Sequence, residues 1–196
     1  SFIDSIVCDS ADSAQGFHLT SGTAKIVADK LSGHYRDYRV KEMSTTMALR
    51  TDGLMSIATV QPVPVTISSL QTGVEVTNLA TMFQARWKLP NGLPVIEVKD
   101  FHCEVLGGTV TSPGLLIDLA KPHYQQTFSL RSLDLAKILS VEQQRGLLGS
   151  GTLNGTLPIT ISPDGVAIED GVIEAQPPGG VIRYVPTSES TKIISE

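Results

Sequence analysis

Hydrophobic and polar residues alternate along most of the chain, in runs separated by turn residues. In one run, Phe101, Cys103 and Val105 fall on one side of an extended backbone, and His102 and Glu104 fall on the other. The same period of two recurs in other runs: Ala24, Ile26 and Ala28; Val63, Val65 and Ile67; Phe83, Ala85, Trp87 and Leu89; Leu115, Ile117 and Leu119; and Leu157, Ile159 and Ile161. This pattern predicts a dozen or more β-strands, each with one apolar face and one mixed face.

Turn signals lie between these runs. They include Thr51-Asp52-Gly53, Pro90-Asn91-Gly92 and Pro163-Asp164-Gly165. An Asn or Asp followed by Gly accepts the positive φ angles of tight hairpin turns. The strands are therefore predicted to pair mostly in antiparallel fashion.

One segment departs from the period of two and predicts a short helix at about residues 133–145. Leu135, Ile138 and Leu139 recur at helical spacing, and either Ser132 or Asp134 can cap the first turn. Residues 187–196 form a polar tail. The predicted fold is all-β with one short helix, and residues 1–196 are taken as a single unit.

The composition suggests more sheltered apolar surface than usual. Hydrophobic residues make up 41% of the chain and charged residues only 18%, below the roughly 25% charge of an ordinary domain. The net charge of -5 and the lack of a basic stripe argue against nucleic acid as a partner. No run approaches the roughly 18 apolar residues that span a bilayer, so if the protein works at a membrane, its anchor is expected to lie outside these residues.

Residues that could carry catalysis or bind a metal are scattered. The four histidines are dispersed, at His18, His34, His102 and His123, so neither a metal nor a cofactor is expected. Glu169 and Asp170 are adjacent and would point to opposite faces of a strand. An enzyme using Asp164, Glu169 or Asp170 would need these groups gathered in one cleft, and a non-enzymatic role is favoured.

The two cysteines allow two interpretations. Cys8 and Cys103 are either small apolar strand residues or partners in a disulfide that the fold would have to bring together.

From Phe101 to Tyr184, an ordered series of motifs resembles the C-terminal region of the YdbH branch of the AsmA-like intermembrane lipid transport proteins. The motifs are Val105-Leu106-Gly107-Gly108-Thr109-Val110, the short helix, Gly149-Ser150-Gly151-Thr152-Leu153-Asn154-Gly155-Thr156-Leu157-Pro158, Ile168-Glu169-Asp170-Gly171-Val172-Ile173-Glu174-Ala175 and Pro178-Gly179-Gly180-Val181-Ile182-Arg183-Tyr184. Residues 1–100 fit this family only through their general strand character.

The resemblance implies an elongated, curled, antiparallel-rich sheet that forms an open hydrophobic groove in the periplasm. It also implies phospholipid as the ligand, an N-terminal anchor in the inner membrane outside this chain, and a small YnbE-like outer-membrane lipoprotein as a partner. The chain would then be a slice of a lipid conduit within a larger envelope protein. A structural or adhesive β-sandwich with a packed core and protein ligands is the alternative.

Two sets of residues are nominated for these roles. The edge strand that would accept the lipoprotein by strand addition comprises Gly179, Gly180, Val181, Ile182, Arg183 and Tyr184. The residues predicted to face the lipid are Phe101, Cys103, Val105, Leu115, Ile117, Leu119, Leu153, Leu157, Ile159, Ile161, Val166, Ile168 and Ile173. In the sandwich alternative, the same residues would meet a second sheet.

Overall fold

The alternating runs form the strands of a long antiparallel meander. The computed structural model describes residues 2–13, 16–52, 55–121, 123–141, 147–163 and 165–185. Fourteen strands and one helix lie in these ranges: β1 Phe2–Ser13, β2 Gly16–Tyr35, β3 Tyr38–Asp52, β4 Ser56–Thr59, β5 Val63–Gln71, β6 Glu75–Lys88, β7 Val95–Val105, β8 Gly108–Asp118, β9 Tyr124–Asp134, α1 Leu135–Val141, β10 Leu147–Ser150, β11 Thr152–Ser162, β12 Gly165–Ile168, β13 Val172–Ala175 and β14 Val181–Tyr184. The predicted all-β fold with one short helix is confirmed.

Twelve of the strands form one sheet in which neighbours along the chain are mostly neighbours in space. β4 and β5 lie end to end between β3 and β6, and β12 and β13 lie end to end along β11. Within the described residues, β1 lies at one end of the sheet and β12 and β13 at the other, and these ends do not pair. The sheet is therefore open rather than closed into a barrel. β10 and β14 form a separate two-stranded ribbon.

Five strands contain a residue with positive φ at or beside a shift in register. These residues are Lys30, Glu42, Asn78, Asp100 and Ser132, with φ between 48° and 55°. Each is the extra residue of a β-bulge, which leaves one residue unpaired and re-aims the side chains that follow it.

The bulge at Ser132 illustrates the effect on the faces of the sheet. Leu153 and Gly155 are two residues apart on β11 and so share a face, yet their partners Leu133 and Leu130 are three residues apart on β9. Because the bulge absorbs the extra residue, Leu130 and Leu133 point the same way, and each is only 6% exposed. The amide of Ser132 leaves the ladder and donates to Asn154 Oδ1 at 2.7 Å.

The bulge at Asp100 acts similarly on β7. His102 and Lys99 pair with Ala80 and Met82 of β6, which are two positions apart and so point to the same face. His102 and Lys99 therefore share one face, and Phe101 and Val98 share the other. The bulges at Lys30, Glu42 and Asn78 act in the same way on β2, β3 and β6. At each bulge, apolar residues three positions apart point to the same face.

The helix begins two residues later than predicted. Leu133 pairs with Leu153 as the last apolar residue of β9, and Asp134 Oδ1 then accepts a hydrogen bond of 2.8 Å from the amide of Ala136. Asp134 rather than Ser132 is thus the cap. The predicted helical residues 142–145 lie outside the described residues.

The sheet has a thin core. Among the described residues, the buried hydrophobic side chains are Ala28, Val63, Cys103, Leu130, Leu133 and Leu135. The accessible surface is 13645 Å², whereas a compact monomer of this mass exposes about 9,000 Å². Much of the sheet therefore has no second layer packed on it.

Cys103 is a free, buried thiol, so the alternative of a disulfide with Cys8 is wrong. Cys8 lies in β1 and Cys103 in β7, with several strands between them in the sheet. Burial raises the pKa of the Cys103 thiol. Cys103 is thus the small apolar strand residue of the other interpretation.

Candidate functional site

One face of the sheet is apolar from β2 to β13. Residues paired across strands lie on the same face, so the register extends the face of Phe101 through the whole sheet. We call it the apolar face; its hydrophobic members are Ala24, Ile26, Ala28, Leu31, Val40, Met43, Met47, Leu49, Ile57, Val63, Val65, Ile67, Leu70, Val76, Leu79, Phe83, Ala85, Trp87, Ile96, Val98, Phe101, Cys103, Val105, Val110, Leu115, Ile117, Phe128, Leu130, Leu133, Leu153, Leu157, Ile159, Ile161, Val166, Ile168 and Ile173.

No lysine, arginine, aspartate or glutamate lies on the apolar face among the described strand residues 21–175, apart from the unpaired bulge positions. The charged residues occupy the opposite, polar face. Glu104, for example, pairs with Thr77 and Thr109, and Arg86 pairs with Ala58. The bulge residues Lys30, Glu42 and Asp100 are exposed to water. A strip without charge thus runs through successive strands of the sheet.

Aromatic rings meet in the middle of the apolar face. Phe101 of β7 and Phe128 of β9 stand edge to face, with ring centroids 5.8 Å apart and an interplanar angle of 88°. Ser112 of β8 pairs with Phe101 and is small enough for the rings to meet above it. The amide of Gln126 donates to the Ser112 hydroxyl, so that polar atom has a partner in apolar surroundings.

Exposure of the apolar face increases toward the last strands. Val63 is 0% and Cys103 4% exposed, whereas Ile173 is 52% and Ile168 56% exposed. Large apolar side chains left in water at neighbouring positions mark a surface that contacts another molecule. The geometry of the apolar face suits a long, uncharged, flexible ligand.

Comparison with known proteins agrees with this chemistry. Residues 15–196 match the sequence model of the YdbH-like family, described as intermembrane phospholipid transport protein YdbH. The chain belongs to the YdbH-like family. No curated protein and no solved structure matches the chain.

Membership extends the resemblance noted for residues 101–184 to nearly the whole chain. The YdbH-like family is a lipid transport family rather than an enzyme family, which supports a phospholipid transport role. Transport between membranes implies a location in the periplasmic envelope. In the described part of the chain, no helix is long and apolar enough to cross a membrane.

The structure brings most of the nominated lipid-facing residues together on the apolar face of this YdbH-like chain. They are Phe101, Cys103, Val105, Leu115, Ile117, Leu153, Leu157, Ile159, Ile161, Val166, Ile168 and Ile173. Leu119 follows the end of β8, and its amide donates to the carbonyl of Pro94 at 3.2 Å. Whether any of them contacts lipid stays a prediction.

The sequence missed part of the same face. Val63 and Phe83 pair with each other and lie on it. The sequence showed that each belongs to an alternating run, but it did not show that these runs share a face with the strands of the second half of the chain. Leu130 and Leu133 were missed because a spacing of three hides a strand with a bulge.

The nominated edge strand lies outside the large sheet. Val181–Tyr184 form β14, which pairs with β10, while Gly179 and Gly180 precede it. α1 packs on this ribbon through Leu135 and Leu139, so tightly that a Cβ on Gly149 would lie 2.5 Å from Leu139 Cδ1. Among the described residues, the outermost strands of the large sheet at this end are β12 and β13.

Two of the three acidic residues considered for catalysis lie at one cleft. Glu169 and Asp170 line a cleft of about 630 Å³ with Gln125 and Pro158, and Asp164 lies outside the described residues. Within the described ranges, no three His, Cys, Asp or Glu side chains are grouped so as to hold a metal ion.

Proposed function

We propose that the apolar face holds the acyl chains of phospholipids in an open groove, as part of a conduit between the inner and outer membranes. The observation that carries this proposal is the apolar face itself, which stays free of charge across successive strands and is half exposed at its C-terminal end. In the full-length protein, an N-terminal anchor in the inner membrane would hold the conduit in the periplasm.

The energetics favour acyl chains as the ligand. Each methylene removed from water gains about 0.8 kcal/mol, so a segment of six methylenes gains about 5 kcal/mol. A charged side chain in the path would offset several such contacts, and the register keeps these side chains on the polar face. A headgroup can remain in water at the opening.

The thin core favours this role over a packed sandwich. A sandwich buries the inner faces of both of its sheets about 10 Å apart, whereas Ile168 and Ile173 remain more than half exposed. Sliding of a lipid along the apolar face requires no nucleophile, metal or cofactor.

A matched pair of substitutions on β13 tests the role of the apolar face. Ile173 points to the apolar face, since it pairs with Gly155, and Val172 points to the polar face, since it pairs with Thr156. The two residues are adjacent, β-branched and equally exposed, at 52% and 51%. Ile173→Asp and Val172→Asp therefore perturb the strand alike and differ in the face that receives the charge.

The measurement is mass spectrometry of the phospholipid extracted with organic solvent from purified protein. Covering the exposed half of Ile173 with an acyl chain gains about 1 kcal/mol, so Ile173→Asp is expected to reduce retained lipid at least about five-fold. Val172→Asp should retain as much as the parent chain. A lipid-free parent chain, or equal retention by both variants, would contradict the proposal.

We also infer that a YnbE-like lipoprotein adds a strand to β14. Val181, Ile182 and Tyr184 are 63%, 62% and 54% exposed, and β10 occupies one edge of β14. An unpaired edge presents amides and carbonyls that another strand can pair with.

A further inference from the structure

The hairpin between β2 and β3 extends beyond the part of β2 that pairs with β1. β2 is 20 residues long, and its pairing with β1 extends only to Val27. Beyond Val27, β2 pairs with β3 alone among the described strands, whereas β3 also pairs with β5 as far as Arg39. Residues 29–39 are all exposed. We call residues 30–41 the hairpin tip.

The hairpin tip is basic in an acidic chain. Between the flanking acids Asp29 and Glu42, it carries the cations Lys30, Arg36, Arg39 and Lys41 against the single acid Asp37, a net charge of +3 in a chain whose net charge is -5. None of the five charged side chains of the hairpin tip forms an ion pair with another described residue. The cations are therefore available to an anion from outside.

Two tyrosines extend into water at the same place. Tyr35 and Tyr38 face each other across the turn and are 68% and 53% exposed. They lie on the side of the hairpin that continues the apolar face. Gly33 and Val40 pair on that face, and Tyr35 and Tyr38 are each two residues from this pair along their strands. Tyrosine suits a membrane interface, since its ring is apolar and its hydroxyl is polar.

The position of Arg36 is unfavourable for the backbone. Arg36 occupies the first central position of the two-residue turn with φ at 52°, where glycine or asparagine is preferred. Its guanidinium lies 5.3 Å from the centre of the Tyr35 ring. The turn thus holds a cation and an aromatic ring together at the outermost point of the hairpin, at some expense in backbone energy.

We propose that the hairpin tip is a contact site for a membrane surface that contains anionic phospholipid. Cations near such a surface are attracted to its headgroups, and the tyrosine rings can enter the interface between headgroups and acyl chains. A nucleic acid would extend over the remaining, acidic surface of the chain, which disfavours that polyanion. Arg39 and Lys41 lie on the polar face, opposite the acyl-chain contacts proposed above, so the two proposals can be tested separately.

Co-sedimentation of the chain with lipid vesicles tests the site. The vesicles contain phosphatidylglycerol with phosphatidylcholine, or phosphatidylcholine alone. The test variant is Arg36→Asn with Arg39→Gln, because asparagine accepts the positive φ of the turn. The control is Arg86→Gln with Lys88→Gln, two exposed residues near the other end of the strands. Both double variants change the net charge equally.

The parent chain is expected to bind the phosphatidylglycerol vesicles more tightly than phosphatidylcholine vesicles, and to release them at high salt. Loss of two tip cations should weaken this binding about 30-fold, while the control pair stays near the parent value. Equal weakening by both pairs, equal binding to both vesicle types, or no vesicle binding would overturn the site. Lipid extracted from the purified chain would be unaffected, which separates this outcome from failure of the proposed function.

Discussion

Deletion of Asp100 should destabilise the fold far more than its substitution does. The bulge at Asp100 keeps Val98 and Phe101 on the apolar face despite their spacing of three. Without the extra residue, Ile96 and Val98 would turn to the polar face. Glu97 and Lys99, which form an ion pair of 3.0 Å, would turn to the apolar face.

The expected loss follows from the residues that change sides. Ile96 and Val98 are partly buried, so losing their burial removes about 1 kcal/mol each. Partial desolvation of the two charges adds about 2 kcal/mol. The total of about 4 kcal/mol is a large share of the 5–15 kcal/mol that stabilises a typical domain.

Urea unfolding followed by circular dichroism measures this free energy. Asp100→Gly is the control, because glycine accepts the positive φ and retains the bulge. Relief of about 1–2 kcal/mol of backbone strain is largely offset by about 0.5–1 kcal/mol of added chain entropy. The control should therefore remain within about 1 kcal/mol of the parent chain. A deletion variant that unfolds like the parent would refute the role assigned to the bulge.

Two further outcomes are expected. Because burial raises the pKa of Cys103, the unfolded thiol ionises first, so stability should fall as the pH rises above about 8.5. In urea unfolding, Cys103→Val should lose less stability than the parent chain over this pH range. Identical pH profiles for the two chains would argue against a role for the Cys103 thiol. A photo-cross-linking residue at Val181 in β14, 63% exposed, should capture the YnbE-like lipoprotein more often than one at Val166 in β12, 69% exposed; capture only from Val166 would move the partner to the edge of the large sheet.

The sequence predicted the local structure well because each strand carries its own period. The alternation at Val63, Val65 and Ile67 and the turn at Pro90-Asn91 identify strands and a hairpin without tertiary information. The helix was placed within two residues of its start, since Leu135, Ile138 and Leu139 together repeat at the spacing of three and four that marks a helix.

The sequence did not predict which residues of different strands lie together on the apolar face. Leu115 and Ile117 lie two and four residues beyond Pro113, and period alone leaves open whether they point with Phe101 or away from it. The register with Val98 decides the matter, and that depends on the bulge at Asp100. Aspartate accepts positive φ, but it is common in other conformations as well, so its presence alone does not predict a bulge. Nor could alternation reveal that β14 pairs with β10 rather than with the large sheet.

Because the meander is open, the length of the large sheet depends only on how many strands it contains. Each described strand of the large sheet pairs only with strands beside it, and the two ends do not meet, so no closure condition fixes the number of strands. Adding or removing one hairpin would change the span of the apolar face by about 10 Å and leave its cross-section unchanged. Evolution could therefore adjust such a sheet to envelopes of different width in whole-hairpin steps, as repeat proteins change length by whole repeats.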